Sequence, residues 1–460
     1  MAEIVETSLY SSSPSPLSEA PLSMRRIVET WWPLAASWLL MAAEGPLMSA
    51  VVARLAHPEI TLAAWGGIIW PLALIIESTI IMLLSASTAL SKDWHSYWWV
   101  RRFMMWAGGI LTALHMAIAL TPLYNFVVVG LIGAPPEIVE PGRIGIIIMI
   151  PWTWAIAYRR FHQGVLIRFG HSQVVGRGTV VRLAADSLVL GVGYLWGTIP
   201  GIVVATAAIA TGVVSEAAYI GLRVRPILQG QLRQAAPVDQ PVTLSSFASF
   251  YTPLALTSLL NMLVQPLVSA ALSRMPAAIE SLAVWSVASG FVFLLRSLSY
   301  AYNEVVIALL DMPRARQNLW RFAVGLAVGT SGLLLIILGT PLASIWFGEI
   351  SALSQPLAAL ATQGLWLMLP LPALTAFQSW YQGNAVHDLR TRVITESVVA
   401  FLLVDGLVLG AGVWLGQFAG LYVGAIGFSL GLAAQVMWLW WRCHQRTTME
   451  GRHTAMRRVT

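Results

Sequence analysis

Residues 186–197 read Asp-Ser-Leu-Val-Leu-Gly-Val-Gly-Tyr-Leu-Trp-Gly, and residues 405–416 read Asp-Gly-Leu-Val-Leu-Gly-Ala-Gly-Val-Trp-Leu-Gly. Further matches at an offset of 219 or 220 positions are Pro33-Leu34-Ala35 with Pro253-Leu254-Ala255, Arg54 with Arg274, Arg102-Phe103 with Arg321-Phe322, and Gln163-Gly164 with Gln382-Gly383. Apolar composition alone gives scattered Leu and Ala matches, but it does not place Pro, Asp, Arg and Gly in one register. The sequence therefore indicates an internal duplication.

The composition of both copies is that of a membrane protein. Apolar residues make up 57% of the 460 positions and charged residues only 10%, and the mean hydropathy is +0.72. A soluble chain carries about 25% charged residues. A bilayer core about 30 Å thick needs about 20 apolar residues per helical crossing. Twelve stretches meet this need, and they predict transmembrane helices at approximately 30–53, 61–90, 99–121, 143–163, 179–198, 200–222, 247–273, 281–310, 320–342, 357–381, 393–415 and 418–441.

The basic residues predict the orientation of these helices. With the N-terminus inside, 23 of the 27 Lys and Arg residues fall in cytoplasmic segments and the adjoining helix ends. Only Arg54, Arg143 and Arg274 fall on the other side, and Arg296 lies within a helix. The positive-inside rule then predicts that both termini are cytoplasmic, in a plasma or bacterial inner membrane. Because the arginines flank helices and form no continuous basic face, we do not expect nucleic acid as a partner.

Six crossings per copy make the two copies parallel repeats, related by a pseudo-twofold axis along the membrane normal. The predicted fold class is therefore an all-α integral membrane protein of twelve helices. We divide it into a disordered cytoplasmic tail (1–24), an N-terminal six-helix lobe (25–224), a cytoplasmic linker (225–246), a C-terminal six-helix lobe (247–442) and a second cytoplasmic tail (443–460). Two such lobes around a central cavity can rock to open it to either side, which is the basis of alternating access.

Several repeated motifs resemble the multidrug and toxic compound extrusion (MATE) group, which belongs to a superfamily that includes lipid-linked oligosaccharide flippases. They are Pro33 and Pro253 early in helices one and seven, the mid-helix Pro151 and Pro370, the Gln-Gly pairs that follow them, and the Gly-rich last helix. Within this superfamily, Pro33-Leu34 with Glu44, Phe250 with Pro253-Leu254, and Leu369-Pro370-Leu371-Pro372 are most similar to the progressive ankylosis protein family of anion exporters. The rival major facilitator group usually has a Gly-x-x-x-Asp-Arg-x-Gly-Arg-like loop after helix two, where this chain has Ser91-Lys92-Asp93-Trp94-His95.

Two acidic residues within the predicted helices, Glu44 and Glu77, are candidates for ion coupling. A charged residue inside a membrane helix costs about 2.5–3.5 kcal/mol on insertion scales, so such residues usually have a function. A carboxylate that faces a polar cavity can bind and release H⁺ or Na⁺ as the cavity alternates. The resemblance adds that members of the extrusion group often use an acidic residue in helix one. The alternative for Glu44 is a helix-end glutamate in contact with water.

Arg296 is the candidate for binding an anionic substrate. Glu77 falls on Ser297 at the 220-residue offset, so Glu77 and Arg296 are predicted at similar depth in opposite lobes. The hypothesis is that Arg296 attracts an anion and that Glu77 pairs with Arg296 when the cavity is empty. The alternatives are a permanent structural ion pair, or two charges in separate polar niches.

The remaining polar residues within helices have weaker assignments. Asn261, Gln265, Asn303 and Glu304 are candidates for lining the substrate cavity, although helix packing explains the amides equally well. Asp186 and Asp405 occupy matching places in helices five and eleven, and we expect each to stabilise its lobe by pairing with a neighbouring arginine such as Arg182 or Arg392, or by capping local backbone. His115 is expected to be a core residue.

The sequence favours a secondary transporter over an enzyme. It has no His-Glu-x-x-His and no phosphate-binding Gly-rich loop before Lys-Ser/Thr, and its Gly427-Phe428-Ser429-Leu430-Gly431 lies within a predicted transmembrane helix rather than at a strand-to-helix turn. We predict an exporter that works by alternating access, without a cofactor or a metal site, coupled to H⁺ or Na⁺ if coupled at all, and functional as a monomer in the bilayer. The expected substrate is a small organic anion or a phosphate-containing compound. Cation-coupled multidrug efflux, flipping of lipid-linked saccharides, and a membrane-embedded transferase remain alternatives.

Overall fold

The computed structural model describes residues 21–238, 242–388 and 390–457, and the regular structure in these ranges is helical, with no strand. The first half contains α1 (Met24–Ala42), α2 (Glu44–Val52), α3 (Pro58–Ala64), α4 (Trp70–Glu77), α5 (Leu83–Leu90), α6 (Trp94–Leu120), α7 (Leu123–Asn125), α8 (Pro136–Ile148), α9 (Ile150–Arg168), α10 (Ser172–Trp196) and α11 (Gly201–Ile227). The second half contains α12 (Leu244–Met262), α13 (Val264–Leu272), α14 (Ala278–Leu309), α15 (Ala315–Gly339), α16 (Leu342–Ser344), α17 (Gln355–Leu367), α18 (Leu371–His387), α19 (Thr391–Leu415) and α20 (Gly420–Arg457).

The order of these elements repeats between the halves. Each half begins with a broken helix (α1–α2 and α12–α13), and each has a long helix, α6 or α15, that leads into a short helix and a π-helical turn, Phe126–Ile132 or Ile345–Ile350. Another helix pair and two long helices complete each half. This order confirms the predicted all-α fold of two parallel repeats.

The predicted number of twelve crossings is not confirmed. Ten helical segments in the described part of the chain are long and apolar enough to cross a bilayer, and the pair α17–α18, bent by 42°, would make an eleventh. The crossing predicted at 143–163 falls on α8 and α9, which are not among them. These two helices carry Arg143, Arg159 and Arg160, which lower their hydropathy. The helix predicted over 61–90 is also interrupted, between α4 and α5.

Proline causes the break in the first helix of each half. Pro46 has no N–H to donate to the carbonyl of Ala42, so α1 ends there and α2 begins at Glu44. Pro266 has the same relation to Met262, where α12 ends. Glu44 is the first residue after the break, at the N-terminal end of α2, where side chains of neighbouring helices can reach it.

The segment before each break packs on the opposite half. On α1, the indole N–H of Trp31 donates to the carbonyl of Leu298 at 2.9 Å. The Trp31 ring also lies 5.5 Å from that of Phe322. On α12, the hydroxyl of Tyr251 donates to the carbonyl of Thr79 at 2.5 Å, and its ring lies 5.0 Å from Phe103. Because Trp31 and Tyr251 are 220 positions apart, the same cross-half contact is made twice.

A second pair of cross-half contacts lies at the end of the bundle remote from Met24, which we call the distal face: the connections 53–57, 121–135, 273–277 and 340–354. Arg54 donates to the carbonyls of Glu349 and Ile350 at 2.5 and 2.7 Å. Arg274 donates to those of Leu131 and Ile132 at 2.6 and 2.5 Å. These contacts hold the two halves together at the distal face.

Two predicted domain boundaries differ from the boundaries of the helices. The tail predicted at 1–24 lies outside the described residues up to position 20, but Leu22 is buried and its N–H donates to the carbonyl of Pro313 at 3.0 Å. Helical structure continues from α11 through residue 234, well into the linker predicted at 225–246, of which 239–241 are not described. The division into lobes and linker stays a prediction.

Candidate functional site

Glu44, at the proline break in the first helix, forms an ion pair with Arg182 of α10. The Nε of Arg182 donates to Oε1 of Glu44 at 2.9 Å, and its Nη2 donates to Oε2. Both side chains are largely buried. Two parallel charge-assisted hydrogen bonds of this kind fix the geometry of a carboxylate as well as its charge.

A second carboxyl, Asp186, stands one helical turn from Arg182. Its Oδ2 lies 3.9 Å from the Nε of Arg182, beyond hydrogen-bonding distance, and neither carboxyl oxygen has a hydrogen-bond partner among the described residues. Gly212 of α11 makes room for this carboxyl, because a Cβ atom there would lie 1.7 Å from Oδ1 of Asp186. One guanidinium is thus shared unequally between two carboxyls, Glu44 and Asp186.

A further ion pair lies between α9 and α11. The Nη1 of Arg159 donates to Oε2 of Glu216 at 2.5 Å, and the amide of Gln163 donates to Oε1 of the same residue at 2.9 Å. Glu216 is fully buried and Arg159 is 5% exposed. Additional hydrogen bonds offset the cost of burying such an ion pair, and Gln163 supplies one to Glu216, whereas the Nε of Arg159 has no partner among the described residues.

Glu77 belongs to the same cluster. It is 6% exposed at the end of α4, and the charged groups that act on it are Arg160, Arg159 and Arg182. None of them lies in the second half. The N-terminal cluster therefore contains four carboxyls, Glu44, Glu77, Asp186 and Glu216, against three guanidiniums, Arg159, Arg160 and Arg182.

Arg296 lies in a different environment in the second half. Its Nε donates to the hydroxyl of Thr375 at 2.8 Å, and its guanidinium lies over the rings of Tyr300 and Phe428, at 5.4 and 5.1 Å from their centroids. No described acidic side chain forms a salt bridge with it. In this structure, then, Glu77 and Arg296 are not partners, which favours the predicted alternative of two separate polar niches.

The other predicted cavity residues do not form one cluster. Asn261 is exposed and its amide donates to the carbonyl of Thr257 on its own helix at 3.0 Å, and Gln265 accepts from the indole of Trp285 at 3.5 Å. Asn303 is half-buried, and Glu304 is exposed. Their roles in a cavity stay predictions. Among the residues not assigned to the cavity, His115 is a core residue as expected, bonded to Thr153 and to the carbonyl of Ile146.

The sequence analysis did not place Arg159, Arg160 or Glu216 in the N-terminal cluster, and it did not predict the pair of Arg182 with Glu44. Arg159, Arg160 and Arg182 were counted among the cytoplasmic arginines, because they fall near the ends of predicted helices. Their side chains instead point into the first half, where they meet acids. Glu216 was the available signal, since it is an acidic residue within the helix predicted at 200–222.

Comparison with known proteins identifies the fold. No protein-family model matches the chain, and no curated protein matches it. Among solved structures, a multidrug resistance MATE family transporter of the MOP superfamily in an inward-facing conformation has a TM-score of 0.69 at 14% identity, covering 92% of this chain and 99% of that chain. The lipid II flippase MurJ, in an inward closed conformation, has a TM-score of 0.60 at 12% identity, covering 88% of this chain and 87% of that chain. This chain has the MATE fold.

In this structure the two halves contact each other at the distal face through Arg54 and Arg274. An outward-facing MATE family transporter has a TM-score of only 0.57 at 14% identity, covering 93% of this chain and 97% of that chain, lower than that of the inward-facing structure. The expected likeness to the MATE superfamily is therefore confirmed at the level of the fold, while the finer likeness to the progressive ankylosis family stays a prediction.

Proposed function

We propose that this chain is a secondary active transporter that exports a small organic anion or a phosphate-containing compound by alternating access of its two halves. The observation that carries the proposal is the separation of two charged sites. The N-terminal cluster is rich in acids, whereas the second half presents Arg296 without an acidic partner among the described residues.

The N-terminal cluster supports ion coupling. Its four carboxyls exceed its three guanidiniums by one, so full ionisation leaves one negative charge in a largely buried site. Such a charge is costly unless it is neutralised. A proton or a Na⁺ ion would balance this charge. Arg182 can pair with either Glu44 or Asp186, and the ion would then bind to the carboxyl that Arg182 leaves unpaired. Binding and release of that ion at the break after α1 would then accompany the movement of the halves.

Arg296 supports an anionic substrate. The hydrogen bond described for its guanidinium uses Nε, which leaves the two Nη groups free of described partners. A guanidinium fork matches the oxygens of a carboxylate or a phosphate. The rings of Tyr300 and Phe428 both pack against this guanidinium and restrict its movement.

Transport in proteoliposomes tests the proposal. Radiolabelled pyrophosphate, citrate and a cationic dye are compared under imposed pH and Na⁺ gradients. We expect movement of an anion, and we expect Arg296→Gln to weaken its apparent affinity roughly 10- to 100-fold, because a hydrogen bond to a charged group contributes about 1.5–3 kcal/mol. Exposed Arg321→Gln, on the next helix, is the matched control. Transport of the dye alone, or unchanged anion affinity in Arg296→Gln, would contradict the substrate assignment.

A second set of variants tests the coupling site. Glu44→Gln should weaken the dependence of transport on the driving pH or Na⁺ gradient while leaving downhill exchange measurable. Glu29→Gln, an exposed acid on α1, should behave as the wild type. The likeness to MurJ makes a lipid-linked saccharide the alternative substrate; flipping of such a lipid without transport of any small anion would replace the present assignment.

A further inference from the structure

Asp405 in α19 is a fully buried carboxyl for which the described part of the structure shows no ionic or hydrogen-bonding partner. It has no solvent exposure, and neither of its oxygens has a hydrogen-bond partner among the described residues. Its surroundings include Gly427 and Gly431 of α20: a Cβ on Gly427 would lie 2.7 Å from Oδ1 of Asp405, and one on Gly431 would lie 3.2 Å from its Cβ. The two glycines thus form a niche that fits a carboxyl.

Comparison with the first half shows which partners of this carboxyl are absent from the second half. Asp405 corresponds to Asp186, and Gly431 corresponds to Gly212, which makes room for Asp186 in the first half. Arg182, however, corresponds to Phe401 at the offset of 219, and Glu44 corresponds to Val264 at the offset of 220. The second half has therefore kept the carboxyl and its niche and has replaced its ionic partners with apolar side chains.

No charged group from the surrounding helices reaches Asp405. The helices packed against α19 are α12, α13, α18 and α20. The titratable side chains described on these helices and on α19 are Tyr251, Tyr381, His387, Arg392, Glu396, Tyr422, Arg442, Cys443 and His444. Arg392 and Arg442 pair with Glu396, more than two turns away on α19. Tyr251 and Tyr422 donate to Thr79 and Gln363, and His387 pairs with Asp311.

Contacts between aromatic rings lead from Phe401, beside Asp405, to the guanidinium of Arg296. Phe401 is one turn from Asp405 on α19, and its ring lies 5.2 Å from that of Phe428 on α20. On another side, Phe428 contacts Arg296, whose Cζ is 5.1 Å from the centroid of the ring. Phe428 therefore contacts both the predicted anion-binding arginine and the residue that covers Asp405.

We propose that Asp405 binds a proton and serves as a second coupling site, in the C-terminal half. An isolated carboxylate buried among apolar groups takes up a proton rather than remain charged. When movement of the halves displaces Phe428, Arg296 becomes available to the carboxyl, and the proton can leave because the carboxylate then has a cationic partner. An anion already bound to Arg296 removes that partner and keeps the proton in place. Proton and anion would therefore bind together.

Infrared spectroscopy tests the proton itself, independently of transport. We expect the C=O stretching band of a protonated carboxylic acid in the purified protein at neutral pH, and we expect Asp405→Asn to remove it. Phe428→Ala should weaken the band by admitting Arg296, and the double variant Phe428→Ala/Arg296→Gln should restore it. If the difference between wild type and Asp405→Asn contains carboxylate bands instead, the proposal is wrong.

Transport measurements test the coupling, which rests on the proposed function, whereas the presence of the proton does not. In proteoliposomes, Asp405→Asn should lower the number of protons moved per anion while anion exchange continues. Asp186→Asn is the matched variant in the first half, and its effect should add to that of Asp405→Asn. If Asp405 is protonated but Asp405→Asn moves as many protons per anion as the wild type, Asp405 has a structural role only, and the coupling role is excluded. If the wild type moves no anion, the proposed function fails, and the infrared result still decides whether the proton is present.

Discussion

Arg54 and Arg274 make the same contact from opposite halves of the molecule. Each lies two residues beyond the broken first helix of its half, donates to a carbonyl of that helix (Ala50 or Ala270), and donates to two carbonyls in the π-helical segment of the other half. Opening of the distal face has to break both sets of hydrogen bonds. The two arginines therefore contribute directly to the stability of the closed state.

The double variant Arg54→Ala/Arg274→Ala should shift the population toward a state that is open at the distal face. A hydrogen bond from a charged group contributes about 1.5–3 kcal/mol, so each arginine should change the equilibrium roughly tenfold or more. Thr198 and Gln417 are exposed positions in the connections α10–α11 and α19–α20, which lie beside the distal face, next to Leu55 and Pro276. With Cys443 replaced by serine, spin labels on cysteines at these two positions report the distance between the halves there. Arg143→Ala is the control, because Arg143 donates to carbonyls of its own half. Identical distance distributions in the wild type and the double variant would contradict the assignment.

Removal of Arg159 should destabilise the fold strongly. Arg159→Leu leaves the buried Glu216 carboxylate with Gln163 as its hydrogen-bond donor, and loss of one partner of a buried pair costs about 3–5 kcal/mol. The double variant Arg159→Leu/Glu216→Leu should recover most of that loss, because no unpaired charge remains. Thermal unfolding in detergent measures both, and the exposed Arg25→Leu should leave the melting temperature unchanged. Equal losses in the single and double variants would show that charge is not the cause.

Gly212 should not tolerate a methyl group. A Cβ there would lie 1.7 Å from Oδ1 of Asp186, so Gly212→Ala forces the carboxyl or the helix to move, at about 1–3 kcal/mol for overpacking. Gly191→Ala on the neighbouring helix α10 is the control, because no atom lies within 4 Å of its added Cβ. That variant should gain about 0.5–1 kcal/mol of helix stability. Melting temperatures that move in the same direction for both variants would refute the close contact.

Asp93 should make stability depend on pH in the acid range. It caps α6, accepting from the N–H of Ser96 at 2.8 Å and from that of Val238 at 3.2 Å. Burial acts to raise the pKa of Asp93, but hydrogen bonds from Ser96 and Val238 hold it below its usual value of about 3.9. Its stabilising contribution is therefore present above that value and is lost as pH falls through the lower pKa of the folded state. Asp93→Asn keeps a cap without the charge, so its melting temperature should fall less than that of the wild type on acidification.

The duplication was the part of the fold that the sequence could predict. Proline, arginine and aspartate recur in one register, and the structure repeats its elements in the same order. The contact of Trp31 with Phe322 and that of Tyr251 with Phe103 escaped prediction, although the four residues occupy equivalent positions. Trp31 and Tyr251 are different residue types, so they do not count as a match between the copies. Both nevertheless carry a hydrogen-bond donor at the edge of an aromatic ring.

The charged cluster was predicted only in part, because position along a helix does not reveal the direction of a long side chain. Glu44 and Glu77 were recognised by their place in apolar stretches. Arg182 is separated from Glu44 by 138 positions, and nothing local to either residue indicates the pair. Arginine can extend from a helix end toward the interior as readily as toward water, so counting it by loop position gives the orientation of a bundle but not the content of its core.

The proline breaks at Pro46 and Pro266 have a consequence for how the polypeptide is assembled. The helix before each break, α1 or α12, packs against the other half. The two halves therefore exchange their first helices, as domain-swapped subunits of a dimer exchange an identical element. A protease cut between residues 235 and 243 would sever the covalent link without releasing either fragment. Two fragments that are synthesised separately should associate in the membrane, and neither should fold completely in the absence of the other.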